Sequence, residues 1–282
     1  MSTVAAPLPL HGRTAIVTGA SRGIGRAIAI HLHSLGANLV LNYASNSTQA
    51  DLLASDLNQS SAPLRRAVAV QADVSDPDQV KRLFDSAEKE FGSEIHILVN
   101  SAGILDSKYP SLAGTAVEDW DETFRVNCRG AFLVCKEAEN RIKRGGGGRI
   151  LLITTSIVLS LPPGYGAYAA SKAAVEAMAK IAAKELKGTG VTVNCVAPGP
   201  VETELFYAGK SEETVARIAE ACPMVRLGQP DDVAKVVGFL ATDAGEWVNG
   251  QGTRVGVVLH RFESEAVAGK LCQRRLSPFG LC

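Results

Sequence analysis

Residues 14–25 read Thr-Ala-Ile-Val-Thr-Gly-Ala-Ser-Arg-Gly-Ile-Gly, and their reading decides the fold. Thr14-Ala-Ile-Val-Thr18 is a short apolar run with the composition of a buried strand. Gly19-Ala-Ser-Arg-Gly23-Ile-Gly25 follows at once, and a helical pattern then runs from about Ile24 to Leu35 and stops at Gly36. Glycines between a strand and a helix permit a tight turn and let a pyrophosphate approach the backbone at the helix N-terminus. The bland reading, a glycine turn with no ligand, is disfavoured by that flanking order.

The alternation continues along the chain. Strands are expected at 38–43, 66–72, 95–100, 149–155, 191–196 and 253–259. Helices are expected at 48–59, 77–91, 117–143, from Tyr165 to about 187, and at 231–240. Pro77 behind Ser75-Asp76 marks the third helix start. Strands alternating with helices predict an open parallel α/β sheet, and such sheets bind ligands at the carboxyl ends of their strands. The Gly145–Gly148 run reads as a turn, and 204–224 as a flap over a pocket.

The second strand ends Asn42-Tyr43-Ala44-Ser45-Asn46, with no acid before Asp51. NAD-binding folds use an acid there to hold the ribose hydroxyls. Its absence, with Arg22 inside the glycine loop, suits the extra 2′-phosphate of NADP.

Composition narrows the rest. With 282 residues and 46% hydrophobic content, one large α/β domain fits better than two. Formal net charge is zero, which argues against nucleic acid or an anionic membrane as the main partner. No apolar run reaches the ~20 residues that span a bilayer. Residues 1–12 contain only one basic side chain, a histidine, and do not resemble a transit peptide, so the expected location is cytoplasmic, with the chloroplast disfavoured. Six cysteines, at 128, 135, 195, 222, 272 and 282, show no metal-ligand spacing, so no metal is expected.

Tyr168-Ala-Ala-Ser-Lys172 places a phenol and an amine four residues apart, stacked on one helix face. An ammonium one turn away favours the phenolate, which suits a proton donor or acceptor for a carbonyl–alcohol pair. Alone, the pair is better read as two surface residues meeting by chance. Asn127 inside a helical pattern disfavours its helix slightly and so hints at a task.

The ordered set Thr18-Gly19-x-x-x-Gly23-x-Gly25, Asp73, Asn100-Ser101-Ala102-Gly103, Asn127, Ser156, Tyr168-x-x-x-Lys172 and Pro198-Gly199 with Thr203 resembles the short-chain dehydrogenase/reductase family. Within the family the chain is most similar to plant NADPH-dependent aldehyde reductases, through 141–150, 173–180 and 245–251. The resemblance implies one Rossmann-type doubly wound parallel sheet of about seven strands, helices on both faces, over residues 10–256. It implies an oxidoreductase that reduces aldehydes and ketones with NADPH and assembles as a homodimer or homotetramer.

By the same resemblance Tyr168 protonates the substrate oxygen, Lys172 lowers the Tyr168 pKa and holds the nicotinamide ribose, and Asn127 holds a relay water. Ser156 steadies the carbonyl oxygen, a choice made over Thr154, Thr155 and Ser160. Gly19, Gly23, Ile24 and Gly25 frame the pyrophosphate, Asn100, Ala102 and Gly103 border adenosine, and Val201 and Thr203 meet the carboxamide. Ser21, Arg22, Asn42, Ser45, Asp73, Pro198 and Gly199 complete the cofactor contacts. The pocket wall is expected from 104–110, 157–165 and 204–224. It reads as apolar through Leu159, Leu161, Pro162, Tyr165, Leu205 and Phe206, with no charge partner for an acidic substrate.

Ser101 departs from the family's usual second Asn, and the tail 257–282 departs from its glycine-ended last strand. That tail sustains an alternative: a catalytically silent NADP-binding protein, or a variant impaired in assembly.

Overall fold

Thr14–Thr18 (β1) is buried at every position, as a strand covered on both faces must be. It pairs in parallel with Asn38–Tyr43 (β2) on one side and Ile97–Asn100 (β4) on the other. In this computed structural model, which describes residues 7–61, 66–92 and 94–256, the sheet extends outward from that centre. Ala67–Gln71 (β3), Arg149–Ile153 (β5), Thr192–Pro198 (β6) and Gly252–Val255 (β7) complete seven parallel strands in the order β3-β2-β1-β4-β5-β6-β7. The order reverses between β1 and β4, and the crevice at that switch point is where such sheets hold ligands.

Helices cover both faces. Gly23–Ser34 (α1), Ser47–Ser60 (α2) and, later in the chain, Pro230–Ala241 pack one face through Ile28, Leu32, Leu53, Val233 and Val237. Pro77–Phe91 (α3) packs the other face through Val80, Leu83 and Phe84. Asp76 caps α3, accepting from the backbone N–H of Asp78 at 2.9 Å and of Gln79 at 3.1 Å.

The helix expected at 117–143 is two helices, Val117–Phe124 (α4) and Gly130–Arg141 (α5), joined by a π-helical turn at Arg125–Arg129. Asn127 sits in that turn, and π-bulges of this kind concentrate at functional sites. β5 stops at Ile153, two residues earlier than expected, because Thr155 and Ser156 turn the chain into the short helix Ile157–Ser160 (α6). Gly166–Glu185 (α7) then carries Tyr168 and Lys172. The segment 204–224 forms Glu204–Tyr207 (α8) and Glu212–Ala221 (α9), and Pro230–Ala241 is α10. β7 pairs with β6 from Gly252 to Val255. The remainder of the expected last strand, 257–259, and the tail to 282 lie outside the described residues.

Candidate active site

Three glycines shape the crevice, each for a steric reason. Gly19 has φ +62°, and a Cβ there would lie 2.9 Å from Ala102 Cα, so the loop leans directly on the end of β4. A Cβ on Gly25 would lie 2.3 Å from the Gly19 carbonyl oxygen, so only glycine lets α1 approach its own entry loop. Gly23 has φ +54° and faces the Thr203 methyl. Arg22 precedes α1 without a side-chain cap, leaving the first-turn N–H groups open to an anion.

Two residues expected to touch the cofactor also brace the crevice walls with their side chains. Asn42 is buried, its Nδ2 donating to the Ala72 carbonyl at 3.0 Å while its Oδ1 accepts from the Gly19 N–H at 3.4 Å. Asn100 Oδ1 accepts from the Thr18 hydroxyl at 2.7 Å, and Thr18 Oγ1 accepts from the N–H groups of Ser101 and Ala102 at 3.1 Å each. Ser45 is exposed beyond β2, and Ser21 and Arg22 line the glycine loop. Arg22 Nη1 pairs with Glu204 at 2.6 Å, both side chains being mostly exposed.

Asp73 accepts from the Ser75 N–H at 2.9 Å and the Ser75 hydroxyl at 2.7 Å, and Arg125 Nη1 lies 2.9 Å from its other oxygen. The Ser75 and Arg125 hydrogen bonds outweigh burial and hold the Asp73 carboxyl below its usual range. Arg125 also forms a two-point pair with Glu122, at 2.6 and 2.8 Å. Sequence reading passed over Arg125, since a cation on a helix reads as solvated.

At the carboxyl end of β5 the catalytic candidates converge. Lys172 is buried and its Nζ donates to the Ile153 carbonyl at 2.9 Å. Burial pulls its pKa down to about 8. Asn127 clamps Ile104 twice, Nδ2 donating to the Ile104 carbonyl at 2.9 Å and Oδ1 accepting its N–H at 2.8 Å, and Nδ2 also reaches Ser171 Oγ at 3.2 Å. A Cβ on Gly103 would sit 3.2 Å from both Asn127 Oδ1 and Lys172 Nζ, so the strand-end glycine lets these two groups close on the crevice floor.

Two sequence expectations change here. Burial pushes the Tyr168 phenol up to about 12, rather than the ammonium drawing it down, because desolvation is the largest effect on it. The hydroxyl close enough to Tyr168 to oppose the effect of burial on its phenol is that of Thr155, whereas Ser156 turns the chain into α6, its N–H donating to the Pro198 carbonyl at 2.9 Å. Sequence reading treated Thr155 as an ordinary strand hydroxyl, but the early end of β5 brings it beside Tyr168.

The β6 exit closes the far wall. Gly199 N–H donates to the Val255 carbonyl at 2.8 Å, Val201 bridges Gly228, and Thr203 caps α8 by accepting from the Phe206 N–H at 3.1 Å. The flap that follows brings Lys210 among Tyr109, Tyr165 and Phe206. The expectation of a wholly apolar pocket wall is therefore corrected, since folding delivers a cation from a distant segment. Among the described residues no helix is long and apolar enough to cross a membrane and no acid, histidine or cysteine cluster has the makings of a metal site.

A glycine crevice at the switch point, with a hydroxyl, a phenol and an amine at the neighbouring strand end, defines a dinucleotide-dependent oxidoreductase site. Residues 19–256 match the family described as enoyl-(acyl carrier protein) reductase. The NADPH-dependent aldehyde reductase-like protein, chloroplastic, of Arabidopsis thaliana is 62% identical over 253 residues, 87% of this chain and 93% of that protein. The NADPH-dependent aldehyde reductase 2, chloroplastic, of the same plant is 55% identical over 252 residues, with the same coverage. A solved short-chain dehydrogenase of Burkholderia cenocepacia in complex with NADP superimposes with TM-score 0.80 at 33% identity, over 88% of this chain and 97% of that one. The chain belongs to the short-chain dehydrogenase/reductase family.

The same relatives overturn the expected cytoplasmic location, for both Arabidopsis proteins are chloroplastic. An address is read by import receptors and not by the catalytic domain, so domain composition does not determine it.

Proposed function

We propose that this protein is an NADPH-dependent reductase of aldehyde and ketone carbonyls, acting in the plastid. The observation that carries this reading is the convergence of Thr155, Tyr168 and Lys172 beside the glycine crevice. The residues fit the cofactor. The cradle at Gly19 and Gly25 is one that any Cβ would fill, and the open N-terminus of α1 offers N–H groups to a pyrophosphate. Arg22, released from Glu204, is the cation for the 2′-phosphate, because an exposed ion pair holds it by only about 0–1 kcal/mol. When bound, NADPH supplies the hydride.

The chain's own residues supply the rest. Tyr168 remains protonated at neutral pH and donates that proton to the carbonyl oxygen as alkoxide character develops. Thr155 Oγ1 orients that oxygen beside the phenol, with Ser156 next to it at the head of α6. Lys172 stays fixed by the Ile153 carbonyl, close to the ribose side of the crevice, and Asn127 holds the 104 backbone that faces it. Asn127 is thus a positioning residue, its side-chain amide committed to Ile104 and Ser171.

The catalytically silent alternative is not favoured, since every acid–base group is present and the sheet is continuous through Val255. For assembly we propose a homo-oligomer. Val117 and Phe132 are exposed on the α4–α5 face, and Phe239 and Trp247 are exposed near β7. Light scattering of the purified protein tests that.

The deciding experiment on function is Tyr168→Phe. NADPH oxidation with an aldehyde should fall ~10²- to 10⁴-fold while NADPH binding is retained. Turnover at the parent rate would remove Tyr168 from the mechanism.

A further inference from the structure

Lys210 sits in the flap between α8 and α9, with its ammonium turned inward. Its Nζ donates to the Tyr109 hydroxyl and, at 2.6 Å, to the Phe206 carbonyl. The same nitrogen lies 4.5 Å from the Tyr109 ring centre, 4.8 Å from that of Phe206 and 6.0 Å from that of Tyr165. The Tyr109 and Tyr165 rings are 5.0 Å apart, and the Tyr109 hydroxyl donates to the Ala208 carbonyl at 2.9 Å. Tyr165 stands just before α7, three residues before Tyr168, and the two side chains line one pocket, the Tyr165 phenol acting electrostatically on that of Tyr168. The aromatic cage around Lys210 therefore adjoins the catalytic pocket through Tyr165.

What the cage lacks is an anion. No carboxylate among the described residues pairs with Lys210, and burial alone draws its pKa down. Neither neighbouring acid reaches Lys210, although Asp106 keeps one buried oxygen without a partner. Asp119 pairs with Lys108 at 3.2 Å, and Asp106 Oδ1 accepts from the Lys108 N–H at 2.9 Å. A half-buried ammonium held by one hydroxyl, one carbonyl and ring faces keeps most of its charge uncompensated, and a second charge arriving in that setting is bound more strongly than in water.

The backbone holds the cage in place. Tyr109 has φ +50°, in the left-handed region. A Cβ on Gly164 would lie 2.9 Å from the Tyr109 carbonyl oxygen, and one on Gly209 would lie 2.0 Å from the Ser107 carbonyl oxygen. Glycines at both positions let the 107–109 turn press against α7 on one side and the flap on the other. An accidental surface lysine needs no such close approach.

We propose that Lys210 is a specificity residue that selects carbonyl substrates carrying a carboxylate at the end remote from the reacting carbonyl. The inference rests on the carbonyl-reductase reading above and names its substrate class. The carbonyl lies at Tyr168 and Thr155, the body of the substrate lies along the Tyr165 and Tyr109 rings, and the carboxylate meets Lys210. The Lys210–Tyr109 hydrogen bond is exchanged for one to the carboxylate as the flap settles.

The test compares 4-carboxybenzaldehyde with methyl 4-formylbenzoate, which share a ring and an aldehyde and differ in charge. The parent should show a kcat/KM about 10- to 100-fold higher for the acid, the range a charge-assisted hydrogen bond supplies. Lys210→Met should collapse that acid-to-ester ratio toward one, and Lys210→Arg should largely keep it. An unchanged ratio in Lys210→Met, whether or not both rates fall, would overturn the proposal and leave Lys210 as a latch for the flap. Titration of benzoate into the protein–NADP complex supplies a readout without turnover. Binding that Lys210→Met weakens about tenfold or more supports the proposal, and binding that it does not weaken overturns it. Failure of the parent to oxidise NADPH with either aldehyde would sink the reductase reading instead, and the benzoate titration would still decide on Lys210.

Discussion

Thr155 and Ser156 differ by one position, and only the first is placed to act on the Tyr168 phenol. The Thr155 hydroxyl meets the Tyr168 phenol and also accepts from the Ile157 N–H at 3.3 Å, whereas Ser156 contributes the first residue of a turn. Thr155→Ala should therefore lower kcat by ~10²- to 10³-fold, the usual cost of removing one donor to a developing oxyanion. Ser156→Ala should cost much less, and steady-state kinetics of the two side by side decides between them. The pH profile is set by the same centre. Tyr168 keeps its proton until about 12, so it does not limit reduction at ordinary pH. Lys172 has its pKa lowered to about 8, so its positive charge is present below that value and lost as pH rises through it. The kcat/KM for aldehyde reduction by the free enzyme should thus be level on the neutral side and decline above about pH 8. A profile level to pH 10 would show that the charge on Lys172 is not needed.

Secondary-structure elements supply precision through close approach. α1 can start where it does only because Gly25 lacks a Cβ against the Gly19 carbonyl, and Gly19 lacks one against Ala102. Gly25→Ala should lift α1 off β1, lowering stability by about 1–3 kcal/mol. It should also weaken NADPH binding, and urea denaturation with cofactor titration measures both. The π-helical turn is the comparable device between α4 and α5. An ordinary α-helical turn would carry Asn127 past Ile104, while the widened turn keeps its amide on both Ile104 backbone groups. An Asn in a helical pattern hinted at such a task, but the kind of turn was not legible, since π-turns carry no composition signal of their own. Arg125 was equally hidden, because its partners Asp73 and Ser75 come from the loop before α3, remote in the chain.

At the scale of the whole molecule, the last strand is tied to the catalytic helix. Arg254 on β7 makes two contacts with Glu176 on α7, at 3.1 and 3.2 Å, and Thr154 donates to the same Glu176 at 3.1 Å. Glu176 is one turn beyond Lys172, so the outer edge of the sheet reaches the active-site helix through one carboxylate. Arg254→Met would leave a carboxylate that is only 12% exposed without its cation, which should destabilise the protein by about 3–5 kcal/mol. The double variant with Glu176→Gln should recover much of that loss, and a double-mutant cycle by urea denaturation tests the coupling.

By itself the sequence determined the sheet, the glycine crevice and the chemical groups of the site. Strand and helix periodicities are local, and Tyr168 and Lys172 share a helix face by spacing alone. Arg22 and the missing acid carried the NADP preference, and the family's order of motifs extended the reading to the role of Asn127. Only the tertiary structure decided which hydroxyl meets Tyr168, which way its pKa moves, and that Lys210 charges a pocket wall read as apolar. Each of those depends on burial and on groups brought together from remote segments. Lys210 and Tyr109 are about a hundred positions apart in the chain, and their contact exists only because the flap after β6 folds over the turn after β4. Chain position sets which groups are available, but desolvation and distance set what they do, and both belong to the folded molecule.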